Sequence, residues 1–208
     1  MSIEKIIVES TKYYEKKLEI HGPSHSGVDW SSEASQKLRF KQLMNVVEPQ
    51  DDDFTLIDYG CGYGALLDYL SNQPKINYIG FDSSEKMIKE AKKVFQKEKA
   101  TWLYDFDKIP ISDYLIASGI FNVKLNFSNR LWLDYILQSI EKFDKLTTKG
   151  FAFNVLTTYS DESKMKENLY YADPIQLFEY CKKNISNFVM LRHDYPLYEF
   201  TLIIRKGL

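Results

Sequence analysis

The stretch Leu56-Ile57-Asp58-Tyr59-Gly60-Cys61-Gly62-Tyr63-Gly64 closes a short apolar run and sets three glycines at alternate positions before a segment with helical spacing. A strand that turns through glycines into a helix is the setting of a nucleotide-type loop. Glycine permits a tight turn and a closer backbone approach to a ligand than any Cβ would allow. A tight turn alone accounts for one glycine, not for three. The spacing then separates two cofactor classes. Dinucleotide folds use G-x-G-x-x-G, whose second glycine admits a pyrophosphate at the helix N-terminus. Here the pattern is D-x-G-x-G-x-G, with Asp58 inside it. A carboxylate there opposes a pyrophosphate and suits a cation.

S-adenosylmethionine (SAM) carries a sulfonium and an ammonium group and no phosphate, which meets that demand. Asp82 ends the next apolar run, Tyr78-Ile79-Gly80-Phe81-Asp82. A carboxylate at the tip of the second strand can accept hydrogen bonds from both hydroxyls of a ribose. Ser83 and Ser84 stand where a helix cap is wanted.

Outward from this pair, strand and helix patterns alternate. Strands are predicted at 54–59, 77–81, 101–104, 113–118 and 150–156, and helices at 64–72, 84–97, 129–146 and 174–183. Two final strands, 188–193 and 198–205, are close enough to form an antiparallel hairpin. The prediction is an α/β fold, Rossmann-like and doubly wound. Its sheet has seven strands and is mostly parallel, with the C-terminal hairpin antiparallel. Ligands of such sheets bind beyond the carboxyl ends of the strands. Residues 1–50 read as a helical N-terminal cap, with helices at 3–20 and 35–47, and 51–208 as the cofactor-binding domain. The acidic break 48–53 joins them.

Composition sets limits. The chain has 208 residues, 44% hydrophobic and 27% charged, which is enough for a full core without disulfide or metal staples. Lys plus Arg total 27 against 29 Asp plus Glu. That balance argues against nucleic acid as a partner, because such binding rests on clustered cations. The longest uncharged run, 150–160, is about half of what spans a bilayer. The start, Met1-Ser2-Ile3-Glu4-Lys5, lacks the apolar stretch of a secretory signal. The expectation is a cytoplasmic monomer or homodimer with no membrane partner. Cys61 and Cys181 form neither a disulfide framework nor a metal cluster, and no His/Asp/Glu grouping points to a metal. With 15 Tyr, 13 Phe and 3 Trp, aromatic content exceeds what a core alone requires.

Residues 57–70, IDYGCGYGALLDYL, followed by GFDSSEKMIKEAKK, resemble motif I and its successor in class I SAM-dependent methyltransferases. The resemblance covers about residues 50 to 208. It implies that Asp58, Gly60, Gly62 and Gly64 line the cofactor, with Cys61 as a small packed residue of the same loop. It implies further that Asp82 takes the ribose with Ser83 beside it, and that Met87, Asp105 and Phe106 surround the adenine. Ser118 and Gly119 sit where the family's backbone meets the methionine part of SAM. The segment Ser118-Gly119-Ile120-Phe121-Asn122 lacks the Asn/Asp-Pro-Pro-Tyr/Phe motif of enzymes that methylate DNA exocyclic amines or glutamine N5. Cys181 follows Tyr180, not the proline of a cytosine C5 nucleophile. These absences point to a small-molecule acceptor.

Selection of that acceptor is expected in the N-terminal cap. Arg39 can pair with the SAM carboxylate, Trp30 can cover the sulfonium or the adenine, and Gln36 stands between them. The pattern G-V-D-W and Q-x-x-R-F resembles bacterial methyltransferases that modify surface-polysaccharide building blocks. Methyl transfer is an in-line displacement, so the protein mainly aligns the reactants and keeps water out. A hydroxyl acceptor would use a general base, for which His21 and His25 are the candidates. An amine needs only a hydrogen-bond acceptor such as Asn122. Tyr14, Tyr170 and Tyr171 are candidate substrate contacts. The expected function is methyl transfer from SAM to O or N of a small polar metabolite, such as a sugar or nucleotide-linked precursor. S-adenosylhomocysteine (SAH) would be the product. The alternative is a SAM-binding regulatory or scaffold protein without turnover.

Overall fold

Strand formation follows the apolar runs. The computed structural model, which describes residues 2–51, 53–71 and 75–207, has eight strands. They are β1 (Phe54–Tyr59), β2 (Ile76–Phe81), β3 (Ala100–Leu103), β4 (Ser112–Ala117), β5 (Thr147–Thr157), β6 (Tyr171–Ala172), β7 (Phe188–Arg192) and β8 (Glu199–Arg205). Six α-helices accompany them: α1 (Ile3–His21), α2 (Glu33–Leu43), α3 (Ala65–Tyr69), α4 (Glu85–Val94), α5 (Asn129–Leu146) and α6 (Pro174–Asn184). Side chains at the N-caps fix where several helices begin. The Ser84 hydroxyl accepts from the Met87 amide at 3.1 Å, and Asp173 caps α6 just before Pro174. Ser32 does the same for α2, so that helix starts two residues earlier than its spacing predicts. Two sequence features reach beyond the described residues: the end of the helix predicted at 64–72, and Asp52 in the acidic break.

The sheet order is β3-β2-β1-β4-β5-β8-β7. β1 pairs in parallel with both β2 and β4, so the order reverses there. That reversal opens a crevice beyond the carboxyl ends of β1 and β4, the place where such sheets take ligands. β8 is antiparallel and inserted between β5 and β7. The predicted seven strands form this path, and β6 adds an eighth by pairing with the end of β5. Its two residues are too few to show an alternating pattern.

No α-helix covers the return from β3 to β4; a 3-10 turn, Phe106–Lys108, stands there instead. α1 compensates. Its Ile6 is fully buried in one core cluster with Phe81, Ile109 and the inner face of α5. On the opposite face Phe40, Leu43 and Val46 pack with Leu56, Leu66 and Ile116. The first 50 residues therefore contribute to both halves of the core.

Candidate active site

The glycine loop and the second-strand acid form one unit. The amides of Gly60 and Cys61 both donate to the Phe81 carbonyl, at 2.7 and 2.9 Å, which ties the loop to the end of β2. The next residue, Asp82, accepts from the Gly62 amide at 2.9 Å and from the Ser84 amide at 2.8 Å. Each carboxylate oxygen keeps a lone-pair site for a ligand hydroxyl. Gly60 has φ 79°, and a Cβ there would come within 2.4 Å of the Ile120 side chain. Only glycine meets both demands.

The loop forms one wall of a cavity of about 320 Å³. Two carboxylates face into it, Asp58 and Asp82. The Tyr78 hydroxyl donates to Asp58 at 2.6 Å. Burial pushes Asp58 up to about 7; the Tyr78 bond opposes the shift and the charge of Asp82 adds to it. Burial likewise pushes Asp82 up to about 6, against the pull of the Ser84 and Gly62 amides. Among the described residues neither has an ion-pair partner. The site therefore calls for a cationic ligand. Met87, Tyr104 and Phe106 supply an apolar end beside Asp82. At the other end Trp30 lies against Gly119, where a Cβ would fall 2.3 Å from the ring. The hydroxyls of Ser10 and Ser118 are buried without a partner, and both residues line the cavity. The unpaired hydroxyls of Ser10 and Ser118, two carboxylates without an ion-pair partner and the apolar group Met87, Tyr104 and Phe106 together suit a ligand that, like SAM, carries cations, hydroxyls and an apolar ring.

The structure brings most of the predicted cofactor residues together. Asp58, Gly60, Cys61, Gly62, Asp82, Ser83, Met87, Phe106, Ser118, Trp30 and Gln36 all line the cavity, as does Tyr14. Others are placed elsewhere. Gly64 faces Trp102 and Phe95, where it allows close packing of the loop on the sheet. Asp105 caps the 3-10 turn through the Asp107 amide and pairs with Lys108. Arg39 points away from the cavity to Glu199, 2.7 Å away.

The predicted catalytic residues do not reach the site. His21 is exposed at the end of α1. His25 bonds the Trp30 carbonyl at 3.0 Å and faces a separate surface groove. Asn122 is buried, where its side chain accepts from the Leu156 amide. Tyr170 belongs to the core, and the Tyr171 hydroxyl accepts from the Lys166 amide. Sequence reasoning also missed part of the wall: Ser10 and Thr11 on α1, Tyr59, and Tyr135 and Lys142 on α5. Positions 7, 10, 11 and 14 of α1 all line the cavity, and that helical spacing was the available signal.

A sheet of this order, with a glycine loop, an acid at the tip of the second strand and a cavity lined by two carboxylates, is the architecture of a SAM-dependent methyltransferase. The comparisons agree, and the chain belongs to that family. Residues 56–147 match the family model described as a methyltransferase domain. Over 168 residues the chain is 45% identical to Rv1506c of Mycobacterium tuberculosis (strain ATCC 25618 / H37Rv), a protein named as a methyltransferase; the match covers 80% of this chain and 99% of that one. Two solved structures share the fold. The plantazolicin methyltransferase BpumL, in complex with a triazolic desmethylPZN analog and SAH, aligns with a TM-score of 0.68 at 14% identity, over 99% of this chain and 98% of its own. Magnesium protoporphyrin IX methyltransferase (ChlM) from Synechocystis PCC 6803 with bound SAH aligns at 0.62 and 14% identity, over 84% of each chain. Among the described residues no helix is long and apolar enough to cross a membrane, and no group of His, Cys, Asp and Glu could hold a metal ion.

Proposed function

We propose that this methyltransferase acts at O or N of a small polar metabolite, of the class of sugars or nucleotide-linked precursors. The observation that carries the reading is the cavity. It lies under α1, and its wall combines aromatic rings with the hydroxyls of Ser10, Thr11 and Tyr14. Rings and hydroxyls together suit a ligand that has apolar faces and a polar rim. The near-neutral charge of the chain, −2, favours a free small molecule over nucleic acid, and the cap pattern around Trp30 and Arg39 favours a sugar-linked acceptor.

Bound SAM supplies a methyl carbon already activated by its sulfonium. Asp82 would hold the ribose, Asp58 would face the cationic end, and Ser118 with Gly119 would close the methionine end. Burial holds the Tyr14 phenol protonated, so it acts as a hydrogen-bond partner to the acceptor and not as a base. No histidine lines the cavity among the described residues. The chain's contribution is alignment and exclusion of water. Incubation with SAM and separate panels of sugar nucleotides, amino sugars, peptides and porphyrins, with SAH release as readout, tests this. Turnover with a sugar-linked acceptor is expected. Turnover confined to peptides or porphyrins would overturn the proposed class.

A further inference from the structure

Behind the methionine end of the cavity, a closed ring of contacts joins five residues from the cap and the sheet. Trp30 packs on Gly119, within 2.3 Å of where a Cβ would lie. The Arg39 guanidinium stacks on Trp30, 4.0 Å from the ring centroid. The Nε of Arg39 approaches Oε1 of Glu199 at 2.7 Å, as an ion pair off the hydrogen-bond axis. Asn154 on β5 donates to the other Glu199 oxygen at 2.9 Å. The Gly119 amide in turn donates to the Asn154 side chain at 2.9 Å, which closes the ring.

Burial makes the ring consequential. The Glu199 side chain is 0% exposed and that of Arg39 only 9%. Neither residue lines the cavity, so neither touches what binds there. An apolar pair of similar size would hold α2 against β8 at least as well, since burying two charges is costly. The charged pair is therefore weak as a stabiliser. Its partners, however, are the roof residue Trp30 and, through Asn154, the backbone amide at the methionine end.

We propose that Arg39 and Glu199 are positioning residues for the cofactor: they couple Trp30 to the Gly119 amide, so that roof and wall close on the methionine end as one unit. This rests on the cavity being the SAM site. It replaces a direct pairing of Arg39 with the SAM carboxylate.

The test is calorimetric titration with SAH, with melting temperatures recorded in parallel. The charge-free double variant Arg39→Met/Glu199→Leu leaves the buried Asn154 amide unpaired and is expected to melt somewhat below the parent while still folding, and to bind SAH about tenfold more weakly, within the range seen for residues that couple to a site without contacting it. Parental affinity in that variant would overturn the proposal. Glu199→Gln alone separates coupling from direct contact. It is expected to weaken SAH binding to a similar degree; parental binding there, with loss in Arg39→Met, would show that Arg39 meets the cofactor itself and overturn the relay. Trp30→Leu leaves the buried pair intact and keeps the test open should the charge variants fail to fold. Because Trp30 also lines the cavity, its loss is expected to weaken SAH binding at least as much as loss of the pair, and unchanged affinity would overturn the proposal. Failure of the parent to bind SAH would instead overturn the cofactor site, a distinct result.

Discussion

The cradle and the roof of the cavity are built in different ways. The cradle, Asp58 to Ser84, is held by bonds that reach only some twenty positions along the chain: Gly62 to Asp82 and Tyr78 to Asp58, each 20 apart. It is a strand, a turn, a helix and the next strand tip, and its geometry follows from backbone conformation. The roof is held across the chain. Thr11 bonds Ser83 at a separation of 72 residues, Glu15 bonds Ser84 at 69, and Arg39 in α2 pairs with Glu199 in β8. A local unit can carry a general function, cofactor binding. An assembled one depends on residues far apart in the chain, so a change at Arg39 or Glu199 reaches the cavity only through the residues between them.

The largest expected effect tests the cradle. Asp58 and Asp82 are held above the ordinary carboxylate value of 3.8, at about 7 and about 6. The folded protein thus keeps protons that the unfolded chain releases. Stability without cofactor is full below about pH 4 as far as these groups are concerned, and is lost as pH rises through 6 to 7. A cation beside Asp58 and ribose hydroxyls donating to Asp82 both favour the ionised carboxylates, so SAM affinity should rise over the same interval. Denaturant titrations and calorimetry between pH 5 and 8 should give these opposite slopes; parallel slopes would remove the two carboxylates from the SAM site.

Next comes Gly119→Ala, where cradle and roof meet. Gly119 has φ 75°, a conformation that costs a residue with a Cβ about 1–2 kcal/mol. The new methyl would also displace Trp30, and overpacking of that kind costs about 1–3 kcal/mol. A loss of about 3 kcal/mol in denaturant stability, with weaker SAH binding, is expected. A smaller effect is predicted for Asp82→Ala, which should weaken SAM binding by about 2 kcal/mol by leaving ribose hydroxyls unpaired. Unchanged affinity would show that the ribose lies elsewhere.

How much of this was legible in the sequence follows the same division. D-x-G-x-G-x-G and Asp82 are local signals, and they carried the cofactor class and several of the residues that line the cavity. Gly64 shows the limit even there. Its place in the motif is the same as that of Gly60, but it faces Trp102, a contact with β3 that no spacing reveals. The roof was read from residue type alone, and type misled. His21 and His25 have the right chemistry for a base but lie outside the cavity. Arg39 has the right charge for a carboxylate, but its carboxylate is Glu199, far away in the sequence. The two-residue β6 was likewise hidden, because it is defined by what neighbouring chain segments leave open, whereas the passage from β3 to β4 without an α-helix was legible in the spacing.

The smallest prediction concerns the roof's outer latch. Thr11→Val removes the 2.7 Å bond to Ser83, which is exposed, so a cost of about 0.5 kcal/mol in stability is expected. A far larger loss would mean that α1 depends on this bond more than on Ile6 in the core.

The cavity beyond the carboxyl ends of β1 and β4, walled by Asp82 and the glycine loop, should act as a SAM site. Calorimetric titration of the parent and of Asp82→Ala with SAM, SAH and NADH tests it most directly. The parent should bind SAM and SAH saturably and one to one, the variant should bind both more weakly, and NADH should give no heat. Binding of NADH, or no binding of either sulfur compound, would contradict it.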